Sequence, residues 1–140
     1  MIMGAWSKES FGNDTACDWA YGLAEASDLG YVRETIQKVV DAGEEYLEAD
    51  AASEVIAAVE VIARLRGNFG LRDSYSESTD TWVAAHPQQP PPDLVAVAIQ
   101  ALDRVLVQPS ELLELWEESD EFEAWKSSVL DLKHRASALA

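Results

Sequence analysis

A single cysteine, Cys17, stands in the chain. That excludes an internal disulfide and leaves no basis for a structural zinc site built on thiolates. Histidine is nearly as scarce, with only His86 and His134. A helical di-iron or di-manganese site needs Glu-x-x-His on two helices; Asp131-Leu132-Lys133-His134 resembles half of such a motif and the second half is missing. Ten Lys and Arg face twenty-six Asp and Glu, a formal net charge of −16. Proteins that bind nucleic acid gain affinity by neutralising phosphates with clustered bases, and no such cluster exists here. The same deficit argues against anionic membrane surfaces. No apolar run approaches the ~18 residues of a membrane span, and the N-terminus lacks the basic-then-apolar order of a signal peptide. The expectation is a soluble, cytoplasmic protein.

What the 140 residues do hold is apolar mass, 48% of the chain. Surface scaling gives about 7,200 Å² folded against roughly 22,000 Å² unfolded, so about two-thirds of the surface is available for burial. One domain with a core of its own follows, without metal or disulfide support. The acid is concentrated as well as abundant. Seven acidic residues and no base lie between Asp41 and Glu60, and seven more without a base between Glu111 and Glu123. Two readings stand side by side. Carboxylates on solvated helix faces keep a small protein dispersed, or an acidic face steers a basic protein partner.

Periodicity points to an all-α fold of five or six helices. Asn13 or Asp14 caps a first helix that runs to about Glu25, with Ala16, Trp19, Ala20 and Leu23 at helical spacing. A second spans about Tyr31 to Ala42, with Gly43 at its C′ position. In the third, capped by Asp50, Val55, Ile56, Val59, Ile62, Ala63 and Leu65 are joined by Ala57, Ala58 and Val61. So wide a stripe belongs in the middle of a bundle. Glu60 and Arg64 pair at i,i+4 on the remaining polar side, and Gly67 ends the helix. Residues 67–92, with Gly67, Gly70, a Ser-rich stretch and Pro90-Pro91-Pro92, read as a long loop. Thr79 to Ala85 can form a short helix there that plants Trp82 on the core. Asp93 then caps a helix with Leu94, Val95, Ala98, Ile99, Leu102 and Leu106 inward. Pro109-Ser110 starts an acidic helix carrying Leu112, Leu113, Leu115 and Trp116. Asp120 and Glu123 fit a capping box for the last helix, whose stripe is Phe122, Trp125, Val129, Leu132 and Ala136. Residues 1–13 read as irregular.

Little in the sequence has the spacing of catalysis. Asp14 and Asp18 are i,i+4, which on a helix puts both carboxylates on one face. With Asn13, and with Trp6 or Trp19 as a wall, they could hold a hard cation; equally, Asn and Asp are the preferred residues at a helix start. No Gly-x-Ser-x-Gly elbow, phosphate-binding loop or His-Glu-x-x-His motif occurs, and no cofactor is implied. Gly67-Asn68-Phe69-Gly70 reads as a helix C-cap with a turn rather than an RNA clamp in so acidic a chain. The five tryptophans fill the core by their spacing, Trp6 excepted, since it lies outside any helix.

Met3-Gly4-Ala5-Trp6, Phe11-Gly12-Asn13-Asp14-Thr15-Ala16 and Asp18-Trp19 together resemble the opening of a bacterial family, domain of unknown function 4259. Tyr46-Leu47-Glu48-Ala49 and Ser110 to Trp116 are also family-like. Ser7 and Glu9 stand where that family has glycines, which disfavours an anion-binding backbone nest at that point. The resemblance implies a compact helical bacterial protein and brings no established activity. The leading reading is a non-catalytic module that binds a basic protein, of inhibitor or immunity type for instance. Its contact residues are Glu111, Glu114, Glu117, Glu118 and Glu121, with Trp116 at the edge. An enzyme or metal site at Asn13, Asp14 and Asp18 is the alternative. A homo-oligomer pairing its aromatic or alanine-rich helix faces is a third reading.

Overall fold

The computed structural model describes residues 13–70, 72 and 76–137. Trp6, and with it nearly all of the segment expected to be irregular, lies outside the described residues. Those residues form seven helices: α1 (Asp14–Leu23), α2 (Gly30–Asp41), α3 (Ala49–Leu65), α4 (Glu77–Ala85), α5 (Pro92–Val105), α6 (Glu111–Glu117) and α7 (Phe122–Ser137). No strand occurs among the described residues, where extended pairing is limited to an isolated bridge between Leu47 and Ser110. The all-α expectation holds, but the count of five or six helices is corrected to seven. The short helix inside the expected loop is α4, and it begins at Glu77.

Every other helix packs against α3. From Val55 to Leu65 each of its residues is buried, which is what its nearly all-round apolar sequence requires. Around it α1 contributes Ala16, Trp19, Ala20 and Leu23, α2 contributes Val32, Ile36 and Val39, and α5 contributes Leu94, Ala98, Ala101 and Leu102. Full burial of each large aliphatic side chain contributes about 1.5–3 kcal/mol. The central helix is therefore the surface on which the rest of the core packs.

The helix ends differ in detail from the sequence expectation. Asn13 does cap α1, its Oδ1 accepting the Ala16 N–H at 2.8 Å. Asp50, Asp93 and Asp120 do not cap. Asp50 lies in the first turn of α3 after Glu48, and Asp93 follows Pro92 in the first turn of α5. Pro92 opens α5 because it has no N–H to leave unpaired and its φ is already helical. Asp120 precedes an α7 that begins two residues later. The end of α3 matches the expected stop. Gly67 has φ +86°, its N–H donates to the Arg64 carbonyl at 3.0 Å, and the Asn68 N–H donates to Ala63 at 2.9 Å. These are the paired bonds of a Schellman motif.

Glu60 and Arg64 do pair, at 3.3 Å, but on no polar side: their side chains are 2% and 1% exposed. Arg135 of α7 reaches Glu60 with two bonds, at 2.7 and 3.0 Å, and Arg64 reaches Asp80 of α4. Ser76 Oγ donates to Asp80, and Asp131 accepts from Arg135 Nε at 2.8 Å. The Gly67–Gly70 turn wraps this cluster. Asn68 Nδ2 donates to the Arg135 carbonyl and the Asn68 carbonyl accepts from the Arg135 guanidinium. A Cβ at Gly70 would lie 2.8 Å from that guanidinium. The guanidinium is held charged, its pKa raised: burial opposes this, but the hydrogen bonds and charges of Glu60 and Asp131 outweigh it. The network ties α3, α4 and α7 together.

Candidate functional site

The acidic helix α6 is fixed by contacts that its own sequence does not advertise. Arg104, near the end of α5, donates to four backbone carbonyls: Gly43 at 2.8 Å and Val107, Glu45 and Pro109 at 2.7 Å. One planar fork thereby gathers the α2–α3 connection and the α5–α6 turn. The Leu47 N–H donates to the Pro109 carbonyl at 3.1 Å and the Glu111 N–H to the Leu47 carbonyl at 2.8 Å. Ser110 Oγ donates back to the Val105 carbonyl at 2.8 Å. The two acid-rich segments of the sequence are thus laid side by side.

Glu111 is half-buried at this junction. Its Oε1 accepts the N–H of Ala49, the first residue of α3, at 2.8 Å. A carboxylate from another helix therefore supplies the cap that Glu48 does not, at the positive end of the α3 dipole. Glu114, Glu117, Glu118 and Glu121 are exposed. Trp116 is not at the edge of this face: it is 4% exposed and stacked on Trp125, with centroids 5.8 Å apart. Leu112, Leu113 and Trp116, at i, i+1 and i+4, form the buried inner stripe of α6.

Tyr46 is the residue that sequence reasoning missed here. It is 53% exposed. Its phenol is held above the ordinary range, first by desolvation and then by the carboxylates of Glu114, Glu111 and Glu48 and the hydrogen bond it shares with Glu114. The signal was present in the family-like string Tyr46-Leu47-Glu48-Ala49, an aromatic residue set among acids. Only the fold brings Glu111 and Glu114 beside it.

Six of the described bases are committed elsewhere. Arg33 pairs with Asp93, Lys133 with Asp103, Arg64 with Glu60 and Asp80, Arg72 with Asp80, and Arg135 with Glu60 and Asp131. Arg104 is used on carbonyls. Among the described residues no ion pair reaches Glu114, Glu117, Glu118 or Glu121, and Glu117 takes only the side-chain amide of Gln108 at 3.1 Å. The α6 face keeps its negative charge.

At the start of α1 the arrangement is different. Asn13 is buried and uses its side-chain acceptor on the Ala16 N–H. Asp14 and Asp18 are exposed. Trp19 is a core residue rather than the wall of a carboxylate pocket: its Nε1–H donates to Thr35 Oγ1 at 2.8 Å, and it stacks on Tyr31. Among the described residues no group of three His, Cys, Asp or Glu is placed to hold a metal ion. Nor is any of their helices long and apolar enough to cross a membrane.

A family model described as a domain of unknown function (DUF4259) matches residues 4–128. No curated protein and no solved structure matches the chain significantly.

Proposed function

The chain belongs to that DUF4259 family, and we propose that it is a non-catalytic interaction module whose α6 face receives a basic segment of a protein partner. The observation that carries this reading is Tyr46, an exposed aromatic ring beside Glu48, Glu111 and Glu114, on a face that no base of the described chain neutralises. An aromatic ring set among carboxylates suits a guanidinium or ammonium group, which gains from both the ring face and the charge. The contact set is Tyr46, Glu114, Glu117, Glu118 and Glu121. Glu111 belongs to it as the residue that holds the face in place, and Trp116 supports it from the core. A cytoplasmic bacterial protein of this kind would serve as an inhibitor or immunity protein against a basic toxin, such as a nuclease. The charge then chiefly speeds encounter, and Tyr46 with its neighbours lengthens the life of the complex.

A hexa-arginine peptide is the first probe. Titrated into isotopically labelled protein, it is expected to shift the amide and ring resonances of Tyr46 and of α6 first. Tyr46→Ala should weaken that response. Shifts spread evenly over all exposed acids would reduce the face to a solvated surface.

A further inference from the structure

On another side of the molecule, between α1 and α4, lies a pocket of about 450 Å³ lined by Tyr21, Glu77, Ser78, Thr81, Trp82 and His86. That volume is in the range of small-molecule sites. Its floor is rigid. Trp82 is 3% exposed and its Nε1–H donates to the Ala26 carbonyl at 2.9 Å. His86 lies flat on Trp82, with centroids 4.3 Å apart and an interplanar angle of 17°. The His86 Nδ1 is 2.9 Å from the Trp82 carbonyl. A carbonyl only accepts, so Nδ1 carries the proton and Nε2 of the neutral ring is an acceptor. Tyr21 is 68% exposed and its ring is part of the pocket lining.

Among the described residues the acidic group of this pocket is the Glu77 carboxylate, beside the hydroxyls of Tyr21, Ser78 and Thr81. Glu77 is an exposed carboxylate, the His86 Nε2 accepts, and Ser78 Oγ already donates to the Ala20 carbonyl at 3.4 Å. Among the described residues no Lys or Arg lines it. Arg72 appears only in the adjoining depression, with Asp80 and the shared Glu77 and Thr81. There its guanidinium faces Asp80 at 3.8 Å and the Phe69 ring at 4.8 Å. Aromatic faces, hydroxyls and a carboxylate, with no cationic side chain among the described lining residues, define the ligand by complementarity.

We infer that this pocket binds a small aromatic cation, a planar ring carrying a protonated amine. The ring packs on the aromatic surface of Tyr21 and His86, and the ammonium group is drawn to Glu77 and the Tyr21 face. The inference is independent of the α6 face.

Tryptamine tests it, with indole-3-propionate as the probe of like ring and opposite charge. The readout is the chemical shift of the His86 and Tyr21 ring protons. Tryptamine is expected to shift both along one saturable curve, and Glu77→Gln to weaken binding roughly two- to fivefold, the scale of an exposed charge pair. Tyr21→Ala should weaken it as well. Absence of a saturable shift up to about 10 mM, well above a millimolar Kd, overturns the inference. So does equal affinity for indole-3-propionate, an unchanged affinity in Glu77→Gln, or shifts confined to residues outside the pocket.

Discussion

Arg135 closes a two-point ion pair on Glu60, 75 positions earlier in the chain, at 2.7 and 3.0 Å. Its guanidinium is boxed by the Asn68 carbonyl and by Gly70, where a side chain would collide. Glu60 is 2% exposed and Arg135 16%. Removing Arg135 takes a two-point partner from the buried Glu60 carboxylate, which keeps Arg64 at 3.3 Å. Arg135→Ala should therefore lower stability by about 1.5–3 kcal/mol in urea unfolding, the scale of hydrogen bonds to a charged group. The double variant Glu60→Met with Arg135→Met should cost less than the sum of the single changes. Strict additivity would mean that the two residues do not act as a pair.

The raised pKa of Arg135 sets the pH dependence of that contribution. A cation whose folded pKa lies above its unfolded value contributes fully below the unfolded pKa, and the contribution fades only as pH rises through the folded one. Both lie above the ordinary alkaline range. The stability difference between the wild type and Arg135→Ala should thus be flat from neutral pH to about pH 10, as urea midpoints across that range would show.

Arg104 donates to the carbonyls of Gly43, Glu45, Val107 and Pro109. Lysine keeps the charge and loses the planar fork, so Arg104→Lys should destabilise by about 1.5–3 kcal/mol, the scale of bonds from a charged donor. It should also loosen the junction that sets Tyr46 beside α6. Faster amide exchange at Leu47 and Glu111, whose N–H groups pair across it, is the specific readout.

Tyr46 should ionise later than a free phenol, because desolvation and the carboxylates of Glu114, Glu111 and Glu48 disfavour a further negative charge. A spectrophotometric difference titration of wild type against Tyr46→Phe should show one phenolate forming above pH 10. Glu114→Gln should bring that midpoint down. The sign for stability follows: a raised phenol pKa favours the folded state only until pH climbs into the alkaline limb, where the benefit is lost.

A methyl group at Gly22 would run into the Tyr31 phenol ring, which donates its O–H to the Trp19 carbonyl at 2.9 Å. Gly22→Ala should cost about 1–3 kcal/mol by displacing Tyr31 from the Trp19 stack. A loss in near-ultraviolet circular dichroism should accompany it. An unchanged signal would place the packing elsewhere.

Local pattern carried the framework of this fold into the sequence. The breadth of the α3 stripe announced a central helix, and Gly67 announced its end. Periodicity did not reveal that Glu60 and Arg64 are buried, because their neutralising partners Arg135 and Asp80 arrive from α7 and α4. The helix α4 was weakly written. The run Glu77–Ala85 contains Ser and two Thr, poor helix formers, and is secured by Trp82 reaching the Ala26 carbonyl and by Asp80 facing Arg64. On the acidic face the carboxylates were visible as a run. That Glu111 caps α3, that Trp116 turns inward and that Tyr46 stands among the acids depends on the Leu47–Ser110 junction, which joins segments some sixty residues apart.

The role of the α6 face is tested most directly by affinity capture from host lysate with three baits: wild type, a variant with Glu114, Glu117 and Glu118 changed to Gln, and a control with Asp18, Glu25 and Glu34 changed to their amides. The three baits are compared over one salt gradient, since steering by exposed charge is screened within about 10 Å at 0.1 M salt. The account predicts that wild type and control retain the same basic protein, released as salt rises, and that the α6 variant does not. Retention of that protein by the α6 variant, or loss from variant and control alike, would contradict it.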